Sequence, residues 1–241
     1  MTPGLFVTGT NTGVGKTLVA VAWTQALARR GHRVVALKPI ASGAERDAAG
    51  RLRNADARAL QAAASVALPY ELVNPYCFEP PIAPHLAAEE AQVATPPARL
   101  VEHYRRATAG ADLAVVEGAG GWRVPLYPEG FLSDLPEQLG LGVVLVVGLT
   151  LGCLNHARLT LEAIERSGRC AFIGWVGNAI DPAFERVAAN VRTLERLTGA
   201  APLAIIPTLR TEANRDAVSE LFESRTMQAA VARLMSGTAR P

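Results

Sequence analysis

Short aliphatic runs alternate with longer amphipathic segments along almost the whole chain. The runs at residues 4–8, 33–39, 111–117, 142–148, 171–176 and 203–206 predict strands, and the segments at 16–30, 54–64, 97–109, 133–140, 152–166, 181–198 and 217–235 predict helices. The run at 142–148 is almost purely aliphatic, as expected for a central parallel strand covered on both faces. The pattern predicts one doubly wound α/β domain over residues 1–241, with a mostly parallel sheet and helices on both faces.

Two stretches do not follow this alternation. Residues 44–53 are small, charged and glycine-containing, and we interpret them as a mobile loop. Residues 69–97 are rich in proline and show no clear periodicity, so we expect irregular structure over the carboxyl edge of the sheet. His85 lies in this stretch, and a surface or hydrogen-bonding role is favoured over catalysis for a lone loop histidine.

Composition and charge exclude several classes of protein. The chain has 24 Lys and Arg against 22 Asp and Glu, a net charge of +2, and no polybasic run, so we do not expect a nucleic-acid partner. The three cysteines lack the close pairing of a zinc or redox motif. No apolar run approaches the roughly 20 residues that cross a membrane. We therefore expect a cytoplasmic protein that does not bind membranes.

A glycine-rich loop connects the first predicted strand to the first predicted helix. Its sequence is Gly9-Thr10-Asn11-Thr12-Gly13-Val14-Gly15-Lys16-Thr17. Such a loop surrounds phosphates with backbone N–H groups, while its lysine reaches the outer phosphates and its hydroxyl contacts magnesium. Five residues separate Gly9 from Gly15, one more than usual, and a plain helix-starting turn is the alternative. The flanking strand and helix favour a nucleoside triphosphate site in a P-loop NTPase fold.

Polar residues follow other predicted strands at the same edge of the sheet. Lys38, Ser42 and Gly43 come after the second strand, and Glu117 ends another strand before a glycine-rich turn. An acid at that position usually holds magnesium or its waters, although a structural acid is the alternative. Asp56 fits a helix N-terminal carboxylate or a functional group equally well. The amide of Asn178, at a further strand end, is suited either to reading a base edge or to an ordinary turn.

Four segments together resemble the dethiobiotin synthetase family. They are the glycine loop, Lys38-Pro39-Ile40-Ala41-Ser42-Gly43, Val116-Glu117-Gly118-Ala119-Gly120-Gly121-Trp122 and Leu151-Gly152-Cys153-Leu154-Asn155-His156. Asn74-Pro75-Tyr76 and Pro84-His85 match the same family, whose own form of the loop includes the extra residue. The resemblance implies a homodimeric, ATP- and magnesium-dependent ligase that makes dethiobiotin from diaminopelargonic acid and carbon dioxide. A carbamate and a carbamic–phosphoric mixed anhydride are the implied intermediates.

The resemblance also implies roles for particular residues. Lys38 is the principal catalytic residue, with Lys16 flanking the reacting groups. The implied metal ligands are Thr17, Asp56 and Glu117, and Thr12 and Ser42 hold the carbamate. The implied ATP contacts are Gly13, Val14, Gly15, Lys16, Thr17, Leu18, Asp56, Glu117, Gly118, Ala119 and Gly120, with Asn178, Ile206, Pro207 and Thr208 around adenine.

Recognition of the substrate carboxylate is implied across the dimer interface, through Gly152, Cys153, Leu154 and Asn155. Two positions depart from the family pattern. Gly13 replaces an acid that some relatives carry, and Asn190 stands where we would expect an aromatic residue near the substrate tail. Carboxylate recognition is therefore the part of the site that the resemblance supports least.

Three other classes of P-loop protein compete with this interpretation. A partitioning or positioning ATPase usually has a second lysine inside the glycine loop, where this chain has Thr10 to Val14. An amide synthase of the cobyric or cobyrinic acid group needs a glutamine-hydrolysing domain, for which the chain has no room. A small-molecule kinase would not account for the segment after Lys38.

Overall fold

The computed structural model describes residues 1–209 and 218–235. The elements in chain order are β1 (Gly4–Gly9), α1 (Lys16–Arg29), β2 (Val34–Leu37), β3 (Ile40–Ala41), β4 (Glu45–Arg46), β5 (Leu52–Arg53), α2 (Ala55–Ala63), α3 (Tyr70–Val73), β6 (Tyr76–Cys77), α4 (Pro84–Glu90), α5 (Pro97–Ala107), β7 (Leu113–Glu117), α6 (Asp134–Leu139), β8 (Gly142–Gly148), α7 (Cys153–Ser167), β9 (Ala171–Asn178), α8 (Val187–Thr198), β10 (Ala204–Ile206) and α9 (Arg225–Met235).

Six strands form one parallel sheet in the order β10-β9-β8-β1-β7-β2. β1 lies in the middle, with Val7 opposite Glu117 of β7 and Gly9 opposite Val146 of β8. Because all six strands run in the same direction, their carboxyl ends lie at one edge of the sheet. The predicted fold class is confirmed.

Helices cover both faces of this sheet. In β1, Leu5 and Val7 pack with α1 in one apolar cluster, whereas Phe6 belongs to a second cluster with α5 and α6. Side chains alternate between the faces of a strand, so consecutive apolar residues in β1 serve opposite helical layers. This two-sided burial explains why the central strands are continuous apolar runs.

The structure differs from the sequence prediction mainly outside the large sheet. The prediction of a mobile loop at 44–53 is wrong, because β4 and β5 form an antiparallel hairpin there. Arg46 of this hairpin forms an ion pair of 2.8 Å with Glu79. Residues 69–97 are more regular than expected, because they contain α3, α4 and β6, and β6 pairs with β3.

Two predicted helices are shorter or interrupted in the structure. α8 starts at Val187 because Arg186 has φ of 58°, a left-handed conformation that does not extend a helix. The closing segment, predicted to be helical over 217–235, is helical at 218–221 and, after a turn at 222–224, in α9 from Arg225, and residue 217 lies outside the described residues. No helix within residues 1–209 and 218–235 is long and apolar enough to cross a membrane.

Candidate active site

A cleft of about 840 Å³ opens at the carboxyl edge of the sheet. Its walls come from the glycine loop, the segments after β2 and β7, the start of α2 and the proline-rich stretch. The predicted site residues that line it are Thr12, Gly13, Gly15, Lys16, Thr17, Lys38, Ser42, Asp56, Glu117, Ala119 and Gly120. Residues that are far apart in the sequence thus share one cavity, as the parallel strand order predicts.

The glycine loop has the backbone conformation that its glycines allow. Gly13 has φ of 77° and Gly15, the N-cap of α1, has φ of 95°, both in the left-handed region. The ammonium group of Lys16 folds back on the loop and donates a hydrogen bond of 2.9 Å to the Asn11 carbonyl oxygen. Burial, and next the charge of Lys38, lowers the pKa of Lys16 to about 8.

Lys38 lies at the centre of the charged part of the cleft. Its buried ammonium group lies 2.5 Å from Glu117 Oε1 and 3.2 Å from Asp56 Oδ2, and donates a third hydrogen bond to the Gly118 carbonyl oxygen at 3.3 Å. Burial opposes the charge, but the two carboxylates outweigh it and raise the pKa of Lys38. Lys38 is therefore a fixed positive charge.

Glu117 and Thr17 present oxygen atoms beside this charge. The Thr17 hydroxyl donates a hydrogen bond of 2.9 Å to Glu117 Oε1. Only 1% of Glu117 is exposed, and its Oε2 has no hydrogen-bond partner within the described residues. Burial raises the pKa of Glu117 against the pull of Lys38. An orphaned carboxylate oxygen next to a hydroxyl and a second acid fits a hard cation such as Mg²⁺.

The residues predicted for adenine lie outside the cleft lining, and one of them, Asn178, contacts the glycine loop. Asn178 ends β9, and its buried side-chain amide donates a hydrogen bond of 2.9 Å to the Val14 carbonyl oxygen. A Cβ atom on Gly15 would collide with this amide. β10 ends at Ile206, whose carbonyl oxygen accepts from Ala179 N at 2.9 Å, and Pro207 and Thr208 follow. Asn178 therefore supports the loop in this structure.

The residues predicted for the substrate carboxylate are on another part of the surface. Gly152, with φ of 94°, is the N-cap of α7, and Cys153 is buried against β8. Asn155 and Leu151 are exposed, Leu151 to 93%. None of the four predicted residues, Gly152, Cys153, Leu154 and Asn155, lines the described cleft.

Several residues that sequence reasoning did not select also belong to the site. His85 and Asn54 line the cleft, and His85 Nδ1 is buried without a hydrogen-bond partner in the described part of the chain. The Asn54 side chain accepts a hydrogen bond from Ala57 N and so caps α2. An Asn at the start of a predicted helix is a recognisable capping signal. For His85, the signal in the sequence was the match of Pro84-His85 to the family, while its place in a loop favoured a surface or hydrogen-bonding role.

Comparison with known proteins identifies the family. A family model described as an AAA domain matches residues 3–215. The ATP-dependent dethiobiotin synthetase BioD of Pseudomonas aeruginosa, strain UCBPP-PA14, is 50% identical over 226 residues, which are 93% of this chain and 98% of the relative. The chain belongs to the dethiobiotin synthetase family. The ATP-dependent dethiobiotin synthetase BioD of Chromohalobacter salexigens is 49% identical over 213 residues, which cover 85% of this chain and 89% of the relative.

Membership of this family confirms the predicted resemblance and the predicted class of enzyme, an ATP-dependent ligase. The septum site-determining protein MinD of Pyrococcus horikoshii, solved with Mg-ADP, superposes with a TM-score of 0.54 at 15% identity, covering 99% of this chain and 96% of its own. That likeness concerns the fold alone. The relatives therefore favour the dethiobiotin synthetase family over a partitioning or positioning ATPase.

Proposed function

We propose that the cleft converts 7,8-diaminopelargonic acid, carbon dioxide and ATP into dethiobiotin, the step of biotin biosynthesis for which the family is named. The observation that carries the site assignment is the buried, permanently charged Lys38 facing both the glycine loop and the acids Glu117 and Asp56. This arrangement supports chemistry between two anions, because a fixed positive charge in a dry cleft stabilises the charge that develops between them.

The proposed reaction has three steps. One substrate amine adds to carbon dioxide and loses a proton, which gives a carbamate. A carbamate oxygen attacks the γ-phosphorus of ATP, ADP leaves, and a carbamic–phosphoric mixed anhydride forms. The second amine then attacks the carbonyl carbon and loses a proton, the bond to phosphate breaks, phosphate leaves, and the cyclic urea closes. Lys38 and Lys16 stabilise the negative charge at the phosphoryl group, and Thr12 and Ser42 orient the carbamate.

ATP is the proposed occupant of the loop. Binding of its phosphates is supported by the left-handed Gly13 and Gly15 and by the α1 N-terminus. The further proposed contacts are with Val14 and Leu18, with the turn at Gly118, Ala119 and Gly120, and around adenine with Asn178, Ile206, Pro207 and Thr208. Lys16 would exchange the Asn11 carbonyl oxygen for a phosphate oxygen, a stronger, charge-assisted partner.

Magnesium is the proposed metal, and Thr17, Asp56 and Glu117 would hold it. The orphaned Glu117 Oε2 and the all-oxygen donor set support this assignment. When bound there, Mg²⁺ would neutralise the negative charge of the phosphates during phosphoryl transfer. No group of three or more His, Cys, Asp and Glu residues suited to a metal occurs in the described ranges, so ATP phosphates and water are proposed as the remaining ligands.

The enzyme is proposed to work as a homodimer in the cytoplasm. Gly152, Cys153, Leu154 and Asn155 would meet the substrate carboxylate in the cleft of the second subunit. The exposure of Leu151 and Asn155 outside the cleft of their own chain supports this arrangement. The Asn190 amide donates a hydrogen bond of 3.1 Å to the carbonyl oxygen of Arg186, the N-cap residue of its helix.

The deciding experiment follows phosphate release from ATP and Mg²⁺ with bicarbonate, with and without the diamine, and checks the product by mass. We expect phosphate release that depends on the diamine and equals the dethiobiotin formed. Lys38→Ala should lower turnover by about 10²-fold or more while ATP still binds. ATP hydrolysis without the diamine, or near-normal turnover of Lys38→Ala, would contradict the proposal.

A further inference from the structure

Behind the cleft, the hydroxyl group of Tyr70 connects two parts of the chain. It accepts a hydrogen bond of 2.7 Å from the backbone N–H of Asn54, and donates one of 3.1 Å to Asn74 Oδ1. Tyr70 is buried, and the Arg53 guanidinium lies 4.2 Å from the centre of its ring. Burial raises the pKa of Tyr70 to about 12, so the hydroxyl keeps its proton and remains a donor.

The buried side chain of Asn74 joins this hydroxyl to the backbone of Lys38. Its amide nitrogen donates to the Lys38 carbonyl oxygen at 2.6 Å and to the Tyr76 carbonyl oxygen at 3.1 Å. Two carbonyl groups on the nitrogen side leave only one orientation for the amide, with Oδ1 facing Tyr70. The Lys38 N–H also donates to Val73, so both backbone polar groups of Lys38 are fixed by the segment from Tyr70 to Asn74.

Asn54 joins the same hydroxyl to the other side of the cleft. Its side-chain oxygen caps α2, which places Asp56 in the first turn, and its Nδ2 donates to the Ser42 carbonyl oxygen at 3.3 Å. One connected set of hydrogen bonds therefore reaches Lys38, Ser42 and Asp56. These three residues come from three separate segments, the end of β2, the loop after β3 and the start of α2.

We propose that Tyr70, Asn74 and Asn54 are positioning residues that hold Lys38, Ser42 and Asp56 in register for the reaction. None of the three positioning side chains needs to touch the reacting atoms. They act by preventing small relative shifts of three segments that carry reacting groups, and a misplacement of about 1 Å can reduce turnover 10²-fold. The inference rests on the roles proposed above for Lys38, Ser42 and Asp56.

Tyr70→Phe removes one oxygen atom and keeps the ring against Arg53. We expect kcat to fall by about 10-fold or more, with the KM for ATP within about twofold of the original protein, because the described contacts of Tyr70 do not include the glycine loop. The matched control is Tyr104→Phe. Tyr104 is also buried, and its hydroxyl donates to the Thr2 carbonyl oxygen at 2.9 Å, away from the cleft. The control should lose stability and keep kcat.

A second variant keeps the proposal testable if Tyr70→Phe does not fold. Asn54→Ser keeps a good helix cap but removes the donor to Ser42, and we expect it to lower kcat while its thermal unfolding stays close to the original. Suppose that Tyr70→Phe and Asn54→Ser both have the same kcat as Tyr104→Phe, and that Lys38→Ala is inactive. The positioning role would then be overturned, whereas the site assignment would stand. If Lys38→Ala itself keeps turnover, the assigned roles fail and the inference fails with them.

Discussion

The ammonium group of Lys38 lies between the two acids of the cleft and donates to Glu117 Oε1 at 2.5 Å. Both partners of this ion pair are buried. A buried charge that loses its partner is strongly destabilising, because neither water nor another cation compensates it. Besides its proposed catalytic role, Lys38 therefore balances the charge of Glu117, the proposed magnesium ligand.

Lys38→Met keeps much of the side-chain volume and removes the charge. We expect the free energy of unfolding without metal to fall by about 3 kcal/mol and the Tm to fall by roughly 5–10 °C. Adding Mg²⁺ should restore much of the loss, since a cation again faces Glu117. Thermal unfolding in EDTA and in excess Mg²⁺ measures both effects. The double variant Lys38→Met with Glu117→Gln should not show the recovery, and equal Tm values for the original protein and Lys38→Met in EDTA would contradict the argument.

Gly15→Ala should prevent normal ATP binding. A side chain at φ of 95° is strained, and its Cβ atom would push the Asn178 amide from the Val14 carbonyl oxygen. We expect at least about a 10-fold loss of ATP affinity, as a distortion of a few kcal/mol would produce, measured by calorimetric titration. Gly140→Ala is the control, because Gly140 has φ of 62° with open space around it at the end of α6. Equal ATP affinity of the two variants would exclude this role of the loop geometry.

Leu151→Asp tests the proposed dimer. An aspartate at this exposed apolar position would be desolvated in an interface but harmless in a monomer. We expect a smaller particle by light scattering after size exclusion, together with lower turnover, since Asn155 no longer reaches a second cleft. Val93→Asp changes another exposed apolar residue, just after α4, and should keep the original mass and turnover. An unchanged mass for Leu151→Asp would show that this surface is not the interface.

His103 should make the fold sensitive to mild acid. It is buried in α5, with Nε2 2.7 Å from the Leu72 carbonyl oxygen, and burial, with a smaller contribution from Arg106, lowers its pKa. The unfolded chain therefore binds this proton near pH 6.5 and the folded chain only at lower pH. Stability should fall as the pH drops from about 6.5 towards the folded pKa, by at most about 1.4 kcal/mol per pH unit.

Denaturant unfolding at a series of pH values measures this effect. His103→Gln keeps an amide donor for Leu72 and has no proton to gain, so its stability should change less over the same range. Parallel curves for the two proteins would assign the acid sensitivity to other groups.

The central sheet was predictable because its strands carry their own signal. The run from Gly142 to Gly148 is aliphatic and bounded by glycine, and its predicted bounds agree with β8. The β4–β5 hairpin was not predictable, since Glu45 and Arg46 are charged and too few to show alternation. The local sequence predicts functional roles for the glycine loop and Lys38, but it does not predict one for the hydroxyl of Tyr70. Its partners are Asn74 and the backbone of Asn54, and only tertiary structure brings them together.

The hydrogen bond from Asn178 to Val14 spans 164 residues of sequence. During synthesis, the glycine loop leaves the ribosome among the first segments, but its supporting amide leaves it after about three quarters of the chain has been made. Its strand β9 lies beside β8, which pairs with β1, and is made after both of them. The proposed nucleotide site therefore gains this support late, and we expect ATP to stabilise chains that include β9 more than shorter fragments.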